Sequence, residues 1–420
     1  MPDDRTFLIV GASLTGAKAA ETLRAEGFEG RVLLVGDERS RPYERPPLSK
    51  TYLRGESDLE KVFVHPDGFY AEHGIELRSD TTVTEIDRER HEAVLGDDER
   101  IAYDRLLVAT GAEPRRIDGP GAALENIHYL RNLDDADLLR AGLAPATSVA
   151  VVGGGWIGAE VAASARQLGH SVTMIHSDPA PLVQVLGPEV AEVYRALHAE
   201  HGVELRMSTR VESFRGGTAV EEVVTEKGDA IVADLVVVGI GVRPRTQLAI
   251  AAGLDVDNGI VVDQYLRTSD ECVYAAGDVA SAWHPFFGRR VRVEHWSNAL
   301  NQGRVAALNM LDLTTPYDRL PYFFSDQYDA GMEYLGHAPE WDRVVFRGDP
   351  RAREFIAFWV KDDRVVAAMN MNVWDVVEPL RAIIHSRRPI ADAQLRDTDV
   401  PLEEIATGLT AAASAPGSGA

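Results

Sequence analysis

Val149-Ala150-Val151-Val152-Gly153-Gly154-Gly155-Trp156-Ile157-Gly158 joins an apolar run to a glycine-rich turn, and an alanine-rich stretch from Ala159 to Leu168 follows it. With the run Ser171 to Ile175 behind it, this reads as strand, turn, helix and strand. The same order stands at the start of the chain. Phe7-Leu8-Ile9-Val10 leads into Gly11-Ala12-Ser13-Leu14-Thr15-Gly16, then a helix from Ala17 to Arg24 and the strand Val32-Leu33-Leu34-Val35. Two such βαβ units predict an α/β protein with two Rossmann-like nucleotide-binding domains. Leu106-Leu107-Val108-Ala109 before Thr110-Gly111, and Leu235-Val236-Val237-Val238 before Gly239, read as central strands whose ends approach a ligand.

A glycine turn between strand and helix brings backbone N–H groups and the positive helix end against a pyrophosphate, where side chains would obstruct the approach. Gly153, Gly155 and Gly158 meet that requirement at all three places. The first turn departs from it, with Ser13 at the middle place, where its hydroxyl can donate to phosphate. Asp37, about 20 residues on, is placed to accept from ribose hydroxyls. At the matching place in the second unit stands His176, with Ser177 and Asp178 after it. A neutral histidine can bond a ribose and a cationic one would favour an added phosphate, so NADH is expected, with NADPH also admitted.

From about Tyr322 alternating segments such as Glu354 to Trp359 and Arg364 to Met371 predict a C-terminal α+β domain with an antiparallel sheet. The stretch 411–420, of small residues, glycine and proline, reads as a disordered tail. The formal net charge of −23 opposes a nucleic-acid partner. No apolar run reaches the roughly 20 residues of a membrane span, and the N-terminus lacks a signal-peptide layout, so no membrane partner and a cytoplasmic location are expected. The single cysteine, Cys272, rules out a redox dithiol within the chain. No metal site is expected: His198 and His201 share a helix face without a third ligand and read as solvated or locally paired.

The decapeptide Arg41-Pro42-Tyr43-Glu44-Arg45-Pro46-Pro47-Leu48-Ser49-Lys50 resembles the FAD-dependent ferredoxin reductases of bacterial oxygenase systems, the family of putidaredoxin reductase, rubredoxin reductase and the relatives of apoptosis-inducing factor. Ala109-Thr110-Gly111, the run Thr268 to Asp278, Glu294 to Gln302 and Ser325-Asp326-Gln327-Tyr328 carry the resemblance on to about Ile405. It implies an FAD-binding domain in two segments, 1–114 and 244–321, an NAD(P)-binding domain inserted at 115–243, and an interface domain at 322–410.

By that resemblance Thr15, Asp37, Lys50, Val83, Arg131, Asp278 and Trp296 contact FAD, with Gly11, Ser13, Leu14, Gly16, Glu38, Arg45, Ala109, Thr110, Gly111, Gly277, Glu294, His295 and Phe324 in the same matched segments. Gly153, Gly155, Trp156, Ile157, Gly158, Glu160, His176 and Gly241 fall to the coenzyme side. Asp278 is expected to accept from the ribityl chain, and the segment after it to start a helix. Lys50 and Glu160 are the catalytic candidates, paired in the family near the reacting flavin ring. Trp156 either covers the flavin face or packs between domains.

The resemblance implies transfer of hydride from NAD(P)H to FAD and of single electrons to a [2Fe-2S] ferredoxin. The alternatives are an NAD(P)H oxidase or diaphorase, and a coenzyme-sensing interaction protein like apoptosis-inducing factor. Monomer and homodimer both stay open. Arg289, Arg290 and Arg292 are the expected docking cations, with Arg304, Arg387 and Arg388 as possible neighbours.

Overall fold

Phe7 to Val10 are four consecutive buried residues on the strand Thr6–Val10, as a parallel strand covered on both faces requires. In the computed structural model, which describes residues 3–411, this strand is the centre of a five-stranded parallel sheet. Its order is Val273–Ala275, Arg105–Val108, Thr6–Val10, Arg31–Val35 and Ile75–Arg78. A second parallel sheet repeats the plan with Ile127–Tyr129, Leu235–Val238, Ser148–Val152, Ser171–Ile175 and Glu204–Arg206. A third, antiparallel sheet runs Tyr322–Gln327, Ala330–Gly336, Arg364–Met371, Glu354–Lys361, Arg343–Asp349. The fold is therefore two Rossmann-like sheets and a C-terminal antiparallel sheet.

The chain divides into two compact units, the first holding residues up to Arg115 with Arg131–Leu133 and Val242–Arg319, the second Arg116–Leu130, Asp134–Gly241 and the chain from Leu320 on. In the first, the helix Leu14–Ala25 buries its opening turn, Leu14, Thr15 and Gly16, and so starts one turn before the alanine-rich stretch. The helix Trp296–Met310 comes so close that a methyl on Gly303 would lie 2.3 Å from the Thr15 carbonyl oxygen. In the second, the helix Val183–Glu200 is kinked at Gly187, which has φ 78° and is followed by Pro188. On either side of the kink Leu186, Val190, Tyr194 and Leu197 pack on the antiparallel sheet, and the fully buried Trp359 donates from Nε1 to the Leu186 carbonyl at 3.2 Å.

One expectation is corrected. The segment after Asp278 forms only the short turn Gly277–Val279 and then the strand Ala280–His284, which pairs with Ile260–Val262 and Arg289–Val291. The two flanking strands claim its backbone groups, which leaves no helix to start there. No described helix is long and apolar enough to cross a membrane. The expected tail lies outside the described residues from 412 on.

Candidate functional site

The two glycine turns share a backbone. A methyl on Gly16 would sit 2.1 Å from the Gly11 carbonyl oxygen, and one on Gly158 would sit 2.1 Å from that of Gly153. The last glycine of each turn is thus required by close approach of helix to strand. Gly155 differs, because a methyl there meets no heavy atom within 4 Å. Protein packing does not demand a glycine at that place, whereas a phosphate approaching the backbone would. Ser13 and Gly155 are extended N-caps with no side-chain cap bond, so neither helix start is closed by its own side chain. Both turns fit a dinucleotide pyrophosphate.

Around the first turn the decapeptide ties down a distant strip of chain. Tyr43 donates its hydroxyl to Glu38 and accepts from Leu133 N–H at 2.9 Å, while Arg45 donates to Glu38 at 2.8 Å and to the Arg131 carbonyl. Burial holds the Tyr43 hydroxyl far above its usual range, so it stays a donor. Arg131 in turn donates to Asp278 at 2.7 Å. A carboxylate has acceptor sites beyond the one an arginine takes, so the pair leaves Asp278 able to receive a hydroxyl. Gly277 is pinned from both sides: its N–H donates to Gln302 at 2.8 Å, and a methyl on it would meet Thr15 Oγ1 at 2.5 Å.

Asp37 is exposed and receives Arg245 at 2.7 Å. Lys50 is buried, with Nζ 3.4 Å from the Pro46 carbonyl oxygen. Val83 is buried at the head of the strand Val83–Asp87, and Ala109 N–H donates to the Val10 carbonyl at 2.7 Å. Thr110 donates to the Arg245 carbonyl at 2.8 Å, and Gly111 takes φ 69°. His295 is the N-cap of the helix that Trp296 opens, and Glu294 is bound by Arg292. That bond, with a second to the Asp278 carbonyl at 3.2 Å, engages Arg292 within the first unit, and its side chain is only 13% exposed. It is therefore not a free docking cation; Arg289 is exposed, and Arg290 is exposed but donates to the Val262 carbonyl at 2.8 Å.

Around the second turn, His176 Nδ1 accepts from Gly154 N–H at 3.1 Å and Nε2 lies 3.4 Å from Asp178. Burial pushes the His176 pKa down against the pull of Asp178, so the ring is neutral with its proton on Nε2. Burial and the Gly154 bond both favour the neutral ring over the cationic one. Trp156 packs edge-on against Tyr194 and Phe323, with ring centres 5.9 and 4.9 Å away. Ile157 is left exposed in the next position, Gly241 takes φ 96°, and Phe324 is half-buried on the strand Tyr322–Gln327.

Glu160 is buried and accepts from Ser325 Oγ at 2.7 Å. Behind Ser325 stand Gln327 and His198, both buried and bonded to each other at 2.9 Å. His198 is thus locally paired and not solvated. None of the three was read from sequence as a site residue: the alternation of the strand puts Phe323, Ser325 and Gln327 on one face, but nothing local says that His198, so far away in the chain, meets them. Among the described residues no cluster of three or more His, Cys, Asp or Glu side chains could hold a metal.

The chain matches the family described as pyridine nucleotide-disulphide oxidoreductase over residues 5–303 and that described as reductase C-terminal over residues 322–406. It is 43% identical over 403 residues to the anthranilate 1,2-dioxygenase system ferredoxin–NAD(+) reductase component of Burkholderia cepacia, covering 94% of this chain and 98% of the relative. Against putidaredoxin reductase of Pseudomonas putida it is 39% identical, over 95% of this chain and 96% of the relative. A solved structure, the covalent putidaredoxin reductase–putidaredoxin complex, superposes with a TM-score of 0.92 at 39% identity, covering 98% of this chain and 99% of that one.

Proposed function

This chain belongs to the pyridine nucleotide-disulphide oxidoreductase family, and from that premise we propose that it is an FAD-dependent NAD(P)H:ferredoxin reductase that feeds electrons to an oxygenase. The observation that carries this reading is the full-length likeness to ferredoxin reductases, in a chain with two dinucleotide cradles and a single cysteine. With no dithiol to receive electrons, their exit is to a separate carrier, a [2Fe-2S] ferredoxin in this reading. The assignment of 1–114 with 244–321 to FAD, 115–243 to NAD(P) and 322–410 to the interface domain is part of the proposal, as is the cytoplasm as its setting. The two family matches, ending at 303 and starting at 322, support the last boundary.

FAD supplies, when bound, the chemistry of accepting a hydride and releasing electrons one at a time. The residues that would hold it are Ser13 and the amides opening the helix Leu14–Ala25 at the pyrophosphate, Asp37 at the ribose, and the Arg131–Asp278 pair at the ribityl chain. Gly155, the amides opening the helix Trp156–Gln167, and His176 would hold the coenzyme. Lys50 would place positive charge where electron density arrives, and Glu160 would orient the reacting groups. Neither needs to move a proton for hydride transfer.

Steady-state reduction of a panel of two-iron ferredoxins, with NADH and with NADPH, tests the reading. Turnover that requires a ferredoxin is expected; equal turnover on dioxygen or a small dye alone would replace it with an oxidase or diaphorase. In stopped flow, Lys50→Ala and Glu160→Ala are each expected to slow flavin reduction at least about tenfold while FAD content stays near one per chain. Unchanged reduction in both variants would leave these residues a structural role only.

A further inference from the structure

Behind Glu160 the second unit contains a line of polar side chains in an otherwise apolar interior. Ser325 and Gln327 project from the same face of the strand Tyr322–Gln327, and His198 comes from the helix Val183–Glu200. Each is no more than 2% exposed. Ser325 Oγ lies 2.7 Å from Glu160 Oε1, Gln327 Nε2 lies 3.3 Å from Ser325 Oγ, His198 Nε2 lies 2.9 Å from Gln327 Oε1, and Tyr328 Oη lies 3.3 Å from His198 Nδ1. His201 stacks on Tyr328 with ring centres 3.7 Å apart at the outer end.

The direction of every bond is fixed by chemistry. The carboxylate can only accept, so the Ser325 hydroxyl donates to it. The Ser325 oxygen then receives the Gln327 amide N–H, which leaves the Gln327 carbonyl facing His198. That carbonyl can only accept, so His198 carries its proton on Nε2, and its bare Nδ1 accepts from the Tyr328 hydroxyl. Burial pushes the His198 pKa down to about 4, which agrees with a neutral ring. The chain therefore points four donors one way, toward Glu160. An amide stands in the middle of it and has no readily transferable proton, so the line does not conduct protons; it orients and polarises.

We propose that Ser325, Gln327 and His198 are positioning residues for Glu160, a buried one-way line of hydrogen bonds that fixes where its carboxylate points. This rests on the reading of Glu160 as a residue of the coenzyme and flavin site.

The test uses the FAD-loaded protein. Ser325→Ala is expected to slow flavin reduction at saturating NADH about tenfold, the scale of losing one hydrogen bond to a charged group, with NADH affinity and FAD content within about twofold of the parent. Ser325→Thr, which keeps the hydroxyl, restores the rate to within about twofold, and Ser325→Cys, close in volume but a weak donor, does not. Added to Glu160→Gln, Ser325→Ala slows reduction no further, since residues acting as one unit do not add. Independently of activity, the ¹⁵N shifts of the His198 ring at pH 7 report a neutral ring protonated on Nε2, and Gln327→Leu abolishes that preference. A parent-like rate in Ser325→Ala beside a slow Glu160→Gln overturns the positioning role alone. A parent-like Glu160→Gln overturns the reading of Glu160 and this proposal with it. A His198 ring that is charged, or protonated on Nδ1, overturns the direction of the line.

Discussion

The two glycine turns are alike where they build the fold and unlike at the place proposed to meet a ligand. Gly16 and Gly158 are locked by the same 2.1 Å approach to a carbonyl oxygen, whereas the middle place is Ser13 in one turn and the open Gly155 in the other. Past the turn the halves diverge further. Two residues after the last glycine, the first helix carries Lys18, which makes a surface pair with Glu21 at 2.8 Å; the second carries Glu160, buried and bonded by Ser325. A partly exposed pair at that spacing contributes a few tenths of a kcal/mol. A buried carboxylate with its own support is retained at a cost, which fits the role proposed for Glu160.

The largest effect expected from this comparison is on stability. Gly16→Ala and Gly158→Ala each press a methyl into a backbone carbonyl that cannot yield, and each is expected to cost about 3 kcal/mol or more. Gly155→Ala, at φ −78° with no neighbour, is expected to stay within about 0.5 kcal/mol of the parent yet weaken NADH binding at least about tenfold. Urea unfolding and equilibrium titration of the three variants check this. Gly155→Ala unfolding as early as Gly158→Ala would erase the distinction between fold glycine and ligand glycine.

A smaller effect sharpens the contrast at Glu160. His198 is neutral and buried in the fold, with a pKa of about 4, against an ordinary value of 6.5. In the unfolded chain it takes up a proton as pH falls through 6.5, while the folded chain refuses it until about pH 4. The contribution is fully present above pH 6.5 and is lost between 6.5 and 4, to a total of roughly 3 kcal/mol. His198→Asn, which keeps an amide donor and does not titrate, is expected to flatten that part of the stability curve. Parallel curves for parent and variant would show that His198 is not held neutral.

How much of this was legible in the sequence follows the range of the interactions. Strands buried on both faces announce themselves as apolar runs, and Ser171–Ile175 and Leu235–Val238 have the predicted bounds. Both glycine-turn helices start one turn earlier than their alanine-rich stretches suggest, because their opening turns are fixed by packing and not by local preference. The helix expected after Asp278 is a strand because two neighbouring strands claim it. The line behind Glu160 was out of reach. His198 and Gln327 are 129 residues apart, and nothing local to either says that they meet.

The smallest expected effect lies at the places proposed to meet a ribose, where Asp37 of the first unit corresponds in sequence to His176 of the second. An acid there accepts from ribose hydroxyls and repels an added 2′-phosphate; a neutral histidine can bond the ribose without repelling the phosphate. The structure gives His176 a second duty, since its Nδ1 accepts from Gly154 N–H at 3.1 Å and so supports the turn itself. His176→Glu can keep an acceptor for that N–H while adding a negative charge, with Asp178 nearby to resist a second one. One charge acting on another across a partly exposed site is worth about 1 kcal/mol, so the kcat/KM ratio of NADH to NADPH should rise about fivefold. His176→Gln, an acceptor without charge, should leave the ratio near the parent value and thereby separate repulsion from loss of the Gly154 bond. If the two variants shift the ratio equally, the charge is not felt at the phosphate. His176 would then serve the turn alone, and coenzyme choice would have to be sought elsewhere around it.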